Sequence, residues 1–428
     1  LNNKYVFNTI EQTLFYNELF YISTITVGIG DNRLNIVGII CEYNPIHNGH
    51  LHHMASTRDA VGRDAAIVCV MSGNFVQRGD LAMFEKHVRA QAAVLCGADL
   101  VLELPLPYAL SSAERFARGG VALLNGLGVV SHLSFGSEAG EIEPLLEVAE
   151  GLLAPETAAL LRDEMKSGIS YPAACHKAAR RLMGNRADLL STPNNVLGIE
   201  YLKALRELGS AITPVTVRRT GTQHDASGPE SASHLRRLFK GGKHPWHLIP
   251  APAAALYQDA VENGRGPVFI ENAEQAVLSR LRMLPRPAWS DLPDATEGIQ
   301  DRLMRYAGTA PTLSGVLEAA KTKRYPLSRL RRMALCAVLG LTDGDSRQMP
   351  PYARVLAMNR RGAEILRQIK AASGLPVITK PAQAKLLPGP ARALFQKESD
   401  ATDFYVLAYP GVSNRAGGQE WTISPRLV

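Results

Sequence analysis

From residue 36 onward, apolar runs of five to seven residues alternate with stretches whose apolar positions recur every three to four residues. Ile36–Glu42 (IVGIICE) is apolar and rich in β-branched residues, ends at Tyr43-Asn44-Pro45, and predicts a buried strand. A helix is expected over His50–Val61. Ala65–Met71 predicts a second buried strand and Ser72–Asp80 a polar, glycine-containing loop. A helix over 85–97 leads to strand Leu100–Leu104, and a helix over 111–126 leads to strand Val129–Phe135. Unbroken apolar strands separated by helices imply a parallel sheet covered on both faces. Ligands of such sheets bind beyond the carboxyl ends of the strands, which directs attention to loops 43–50, 72–80 and 136–140.

Residues 142–209 read as mostly helical, with Thr192-Pro193-Asn194 opening a helix that carries Asn195 to Leu208. Strand Ile212–Val217 precedes a loop over 218–230, and Ser231 starts a helix ending at Phe239. Gly241-Gly242 and the Pro-rich 245–252 predict a linker. Beyond it helical periodicity dominates, over 253–263, 272–283, 296–306, 313–341 and 354–373. The expected organisation is therefore an extension outside the fold over 1–33, an α/β domain over 34–245, and a mainly helical domain over 250–428.

Composition changes this picture in two ways. Basic residues are unevenly placed: residues 251–428 hold 24 Lys/Arg against 16 Asp/Glu, whereas 1–250 hold 23 against 24. Ten of the cations fall in 321–361, against two acids. A positive surface confined to one region suits a polyanionic partner, with a solvated helix face as the plain alternative. The five cysteines (Cys41, Cys69, Cys96, Cys175, Cys336) show neither a CxxC pair nor metal-ligand spacing. A reducing cytoplasm is the simplest setting for them. No apolar run reaches the ~18 residues of a membrane span, and Glu11 and Glu18 interrupt the early segment, so no signal peptide is expected.

The chemistry concentrates at His47-Asn48-Gly49-His50, between a buried strand and a helix. Glycine lets backbone approach a phosphate, and the helix N-terminus offers unpaired N–H groups. Two imidazoles three residues apart can stabilise charge developing on that phosphate. A bare HxGH string is better explained by surface histidines capping a helix; the strand 36–42 before it reverses that preference in favour of catalysis, with His47 and His50 as the catalytic pair. Ser231-Ala232-Ser233-His234-Leu235-Arg236 places hydroxyls at a helix start and an arginine on its first turns. Ser231, Ser233 and Arg236 are thus candidate contacts for the outer phosphates of a nucleotide, or simply a helix cap. Lys86 is a further candidate phosphate contact with Arg89, unless both lie on a solvated helix face. Ser72, Gly73, Asn74 and Arg78 form a candidate carboxylate-binding loop. Glu103 and Glu138 are candidate Mg²⁺ ligands.

The HxGH turn followed by the Ser-Arg helix resembles the paired signatures of the HxGH nucleotidyl transferases. EYNPIHNGHLHH (42–53), MSGNFVQRGD (71–80), GADLVLELP (97–105), SSAERFARGGV (111–121), SFGSEAGEI (134–142), STPNNVLGIEYLKAL (191–205), KRYPLSRLRRM (323–333) and ATDFYVLA (401–408) together resemble the bacterial tRNA(Met) cytidine acetate ligases. The likeness runs from about residue 36 into the C-terminal region. It departs in detail at Ile46, at Glu85-Lys86-His87 and, most, at Thr222-Gln223-His224-Asp225.

The resemblance implies a Rossmann-like parallel sheet carrying a nucleotidyl transferase site, followed by a mainly helical, basic domain. It implies that acetate attacks ATP to give acetyl-adenylate and pyrophosphate. The acetyl group then passes to the exocyclic amine of the wobble cytidine of elongator tRNA(Met), forming N4-acetylcytidine. ATP is a substrate, accompanied by Mg²⁺, with no organic prosthetic group. Carried over by position, the ATP contacts are Ile40, Cys41, Glu42, Tyr43, Asn44, Pro45, Ile46, His47, Asn48, Gly49, His50, Leu51, His52 and His53, with Gly136, one of Asn194 and Asn195, and Arg219. The basic stretch Lys321, Lys323, Arg324, Tyr325, Arg329, Arg331 and Arg332 is the candidate tRNA surface, its cations neutralising phosphates and Tyr325 stacking on a base. The alternative function is a small-molecule adenylyl transferase with the same HxGH chemistry. A class I aminoacyl-tRNA synthetase fragment and a non-catalytic RNA-binding protein are weaker readings.

Overall fold

The computed structural model describes residues 34–219 and 231–428. The expected extension over 1–33 and the loop tip at Thr222–Asp225 fall outside the described residues. In chain order the strands are β1 (Ile36–Cys41), β2 (Ala66–Ser72), β3 (Phe75–Val76), β4 (Asp80–Leu81), β5 (Leu100–Leu104), β6 (His132–Ser137), β7 (Thr213–Arg218), β8 (Ala353–Met358), β9 (Val377–Ile378) and β10 (Arg426–Leu427). The main sheet has the order β10-β8-β5-β2-β1-β6-β7, with β9 also on β8; β3 and β4 make a separate hairpin. β1, β2, β5, β6 and β7 run parallel, as the alternation of apolar runs and helices predicts. β2 and β5 are buried along their whole length, which is why they read as continuous apolar runs.

The helices that position the site are α1 (Asn48–Val61), α2 (Lys86–Leu95), α3 (Ala113–Gly126), α4 (Pro193–Glu207), α5 (Ala232–Lys240), α6 (Ala251–Glu262), α7 (Leu327–Leu339), α8 (Arg360–Ala372) and α9 (Gly389–Val406). Two stretches differ from the helices expected of them. The span 354–373 is strand β8 followed by α8, divided at Asn359, whose side chain accepts from the Gly362 N–H to cap the helix. The apolar run Val355–Met358 is too short for periodicity to separate strand from helix. The span 313–341 is two helices, Leu313–Ala320 and α7, interrupted ahead of Leu327 by Pro326.

β8 pairs antiparallel with β5, and β10 and β9 flank it in parallel. The region read as helical therefore supplies three strands to the sheet that carries the HxGH turn, and Asn35–Val428 makes one compact unit. One interior joins Phe75 and Leu81 of the loop after β2 to Met333 of α7, Tyr405 of α9 and Trp289. A second packs β1 and β2 against α2, α5 and α6, through Ile39, Cys69, Val88, Leu235 and Tyr257. No helix among the described residues is long and apolar enough to cross a membrane.

Candidate active site

β1 ends at Cys41, and Tyr43 then takes a left-handed φ of 43°, a conformation uncommon outside glycine. His47 caps α1: its Nδ1 accepts from the Gly49 N–H at 3.1 Å, and the Nδ1 of His50 accepts from the His47 N–H at 3.2 Å. The two rings lie with centroids 3.8 Å apart. Gly49 is required by this packing, since a Cβ there would sit 2.9 Å from His47 Cε1. Burial first, then the Arg219 and Arg236 guanidinium groups, lower His47 to about 4. Burial, then His47 and Arg219, hold His50 well below the ordinary histidine range. Both imidazoles are therefore neutral near pH 7. With each Nδ1 accepting from backbone, the proton resides on Nε2, so each ring presents an Nε2–H donor. His53, lowered to about 4 chiefly by burial, hydrogen-bonds Ser134 Oγ through Nε2 at 3.0 Å.

The ends of β6 and β7 bring the distant residues of the set together. Arg219 donates its N–H to the Ser137 carbonyl and its Nη1 to Asn194 Oδ1 at 3.4 Å. Its Cγ lies 3.2 Å from where a Gly136 Cβ would stand. Glu138 accepts from Asn194 Nδ2 at 2.6 Å and from the Asn195 N–H at 2.8 Å, so it satisfies the open end of α4. Asn195 is buried and accepts from the Ala139 N–H. Asn194 is the half-buried member that meets Arg219. From the other side, Arg236 donates Nη1 to the Asn44 carbonyl at 2.7 Å and Nη2 to Ser233 Oγ at 3.2 Å. Ser231 Oγ accepts from the His234 N–H and caps α5. The HxGH turn, Gly136, Asn194, Arg219, Ser233 and Arg236 thus share one mouth beyond the carboxyl ends of the parallel strands.

Several candidates take other places. Lys86 is 2% exposed: its Nζ donates to Glu103 at 2.8 Å and to Glu420 at 2.6 Å, so it is neither a phosphate contact nor a solvated cation. Arg354 stands directly across the β5–β8 ladder from Glu103 and meets both carboxylates. Burial would raise the Glu103 carboxyl, but Lys86 and then Arg354 hold it below the usual carboxylate range. Arg89, fully buried, donates to the carbonyls of Phe84, Glu42, Ser72 and Gly73, tying the ends of β1 and β2 together. Glu103 and Glu138, the candidate Mg²⁺ ligands, are both committed to protein partners. No group of three or more His, Cys, Asp or Glu among the described residues is arranged to hold a metal.

In the candidate carboxylate loop, Ser72, Gly73 and Asn74 are buried while Arg78 is exposed. Asn74 Oδ1 accepts from the Lys86 N–H and its Nδ2 donates to Thr402 Oγ1. Gln77 N–H donates to Glu42 Oε1 at 2.7 Å, fastening the loop to the end of β1. The basic stretch is also less open than expected. Tyr325 is 8% exposed and its hydroxyl donates to the Glu297 carbonyl, so it is a core side chain and not a stacking platform. Arg324, Arg329 and Arg332 lie within ion-pair distance of Glu297 or Asp294, and Lys321 meets Glu318. Lys323 and Arg331 stay exposed. Glu420, Arg354 and Glu398 carried no local signal of their place beside β5, because they reach it from 250 or more positions away.

A parallel α/β sheet with an HxGH turn at the mouth of β1 is the architecture of a nucleotidyl transferase. The family described as HIGH Nucleotidyl Transferase matches residues 34–420. A tRNA(Met) cytidine acetate ligase of Acetivibrio thermocellus is 36% identical over 410 residues, 91% of this chain and 99% of that protein. One of Thermoanaerobacter sp. is 38% identical over 393 residues, 89% and 97% of the two chains. The crystal structure of Thermotoga maritima TmcAL bound with alpha-thio ATP superposes with a TM-score of 0.86 at 31% identity, covering 92% of this chain and 99% of that one. The chain belongs to the tRNA(Met) cytidine acetate ligase family.

Proposed function

We propose that this chain joins acetate to ATP and transfers the acetyl group to the wobble cytidine of elongator tRNA(Met). A carboxylate oxygen of acetate attacks the α-phosphorus, pyrophosphate leaves, and acetyl-adenylate forms. The exocyclic N4 of the cytidine then attacks the acetyl carbonyl carbon, AMP leaves, and N4-acetylcytidine results. The observation that carries the first step is the close, tilted pair His47 and His50, each with Nδ1 engaged by backbone and Nε2–H free to donate to phosphate oxygens. Positioned donors of this kind act on charge as it develops at phosphorus. Arg236 and Arg219 flank the pair as cations for the phosphates, and Asn194, of the two asparagines, is the ATP contact. Mg²⁺ enters on the nucleotide's own phosphates, with no protein carboxylate assigned to it. The setting is the cytoplasm, where the tRNA is.

The test is exchange of labelled pyrophosphate into ATP with acetate, amino acids, or pantetheine and nicotinamide precursors as co-substrate. Acetate alone should stimulate exchange. Stimulation by an amino acid or a cofactor precursor, without acetate, would overturn the reading. His50→Ala should slow acetate-dependent exchange by about 10²–10³, the usual effect of losing one such donor, while leaving tRNA retention on a filter unchanged.

A further inference from the structure

Loop 72–80 touches both halves of the reaction. Its start is held by Arg89, which grips the Ser72 and Gly73 carbonyls together with that of Glu42. Its middle is held by Glu42, which accepts from the Gln77 N–H beside the HxGH turn. Its far end lies on α7. Gly79 takes φ 77°, and a Cβ there would stand 2.5 Å from the Arg332 nitrogen and 2.7 Å from Arg331 C and Cβ. Such contact is backbone on backbone, open only to glycine.

The charges around that junction are unequal in their engagement. Asp294, Glu297 and Glu318 occupy Arg332, Arg324, Arg329 and Lys321. Arg331 and Arg78 are exposed and, among the described residues, have no carboxylate within ion-pair distance. Of the acids nearby, Glu271 pairs with Lys240 at 2.6 Å and Glu42 holds Gln77, while Asp80 accepts from its neighbour's N–H and shares its charge between Arg331 and Arg236 without an ion-pair contact to either. Arg236, on the site side of the same loop, is bonded to Asn44 at the turn. Cations exposed on the rim of a nucleotide site, with no carboxylate in ion-pair contact, suit a phosphate backbone.

We propose that Arg331 and Arg78 clamp the RNA backbone beside the target cytidine, and that Gly79 seats loop 72–80 on α7 so that the docked RNA is in register with the adenylate. The inference rests on the tRNA reading above. It narrows the RNA surface from the whole basic stretch to the loop–helix junction. Arg331 is a positioning residue: it holds backbone, and the register it sets should appear in the transfer step.

The experiment uses the full chain, elongator tRNA(Met) and acetyl-adenylate generated in place. For Arg331→Gln the thermal midpoint should stay within about 1 °C of wild type, as an exposed substitution allows. Its kcat/KM for tRNA acetylation should fall about tenfold. The slope of log K for tRNA against log salt should become shallower by about 0.7–0.9, the contribution of one phosphate. Arg331→Lys should restore the salt slope but not all of kcat. Arg332→Gln should instead lower the thermal midpoint with little change in salt slope. Gly79→Ala should lower kcat for transfer more than it weakens tRNA binding. If Arg331→Gln keeps both kcat/KM and salt slope, the clamp is wrong while the ligase reading stands. If wild type does not acetylate the tRNA, that reading and the clamp fall together.

Discussion

Replacing Lys86 by methionine separates two roles that the sequence leaves entangled. The side chain keeps its length, so little cavity forms, but the ammonium disappears from a buried cluster. Glu103 and Glu420 would then share Arg354 alone. Breaking a buried ion pair by removing one partner costs about 3–5 kcal/mol, because the remaining charge is left uncompensated. Across Asn35–Val428 the unfolding entropy is about 0.8 kcal/mol/K, taking ~2.1 cal/mol/K per residue. The thermal midpoint should therefore fall by about 4–6 °C at pH 7.5, read by calorimetry. Sign follows from linkage: Glu103 is held below its unfolded value in the wild type, so its contribution is fully present above the unfolded carboxylate range and is lost below it, as pH falls on through the lowered folded value. The gap between variant and wild type should accordingly hold down to about pH 4.5 and narrow only below it. The dissociation constant for ATP should change less than threefold. An unchanged midpoint with ATP binding weakened tenfold or more would refute the argument and return Lys86 to the phosphates.

Gly49→Ala pushes a methyl against the His47 ring; acetate-dependent exchange should drop at least tenfold while the thermal midpoint falls by about 1–4 °C, an overpacking cost of roughly 1–3 kcal/mol. Burial and the flanking guanidinium groups lower His47 to about 4 in the free enzyme, so kcat/KM for ATP, which reports free-enzyme ionisations, should stay flat as pH falls from 8 to 5.5. A decline centred near pH 6.5 would show that the histidines titrate normally and that the neutral donor pair is wrong.

The first half of the fold is legible because its central strands β2 and β5 are buried along their whole length and its turns hold the candidate site residues. β1 begins where its apolar run begins, β5 matches its predicted bounds, and the HxGH turn sits at the predicted strand–helix junction. The second half is less legible for a physical reason. β8 exposes no alternation, being five buried residues and Met358, and merges with the apolar rhythm of α8. The same limit governs individual side chains. Lys86, Arg89 and Tyr325 look like surface residues in sequence, since cations and a tyrosine beside basic neighbours usually are. Their burial depends on acceptors that no local window contains: Glu103 and Glu420 for Lys86, the carbonyls of Glu42, Ser72 and Gly73 for Arg89, and the Glu297 carbonyl for Tyr325. Asn194 and Asn195 are equivalent in sequence, and only the fold sets one against Arg219 and the other into the interior.

The antiparallel pairing of β8 with β5 also orders events during synthesis. When β1, β2, β5, β6 and β7 have left the ribosome, β5 still presents an unpaired edge. Its partner arrives some 250 residues later, and the carboxylate of Glu420 that neutralises Lys86 later still. At an elongation rate of about 5–20 residues per second, the nascent sheet waits for more than about five seconds with one flank open and Lys86 lacking its second carboxylate. A nascent chain stalled before residue 353 is therefore a natural client for a chaperone that covers strand edges.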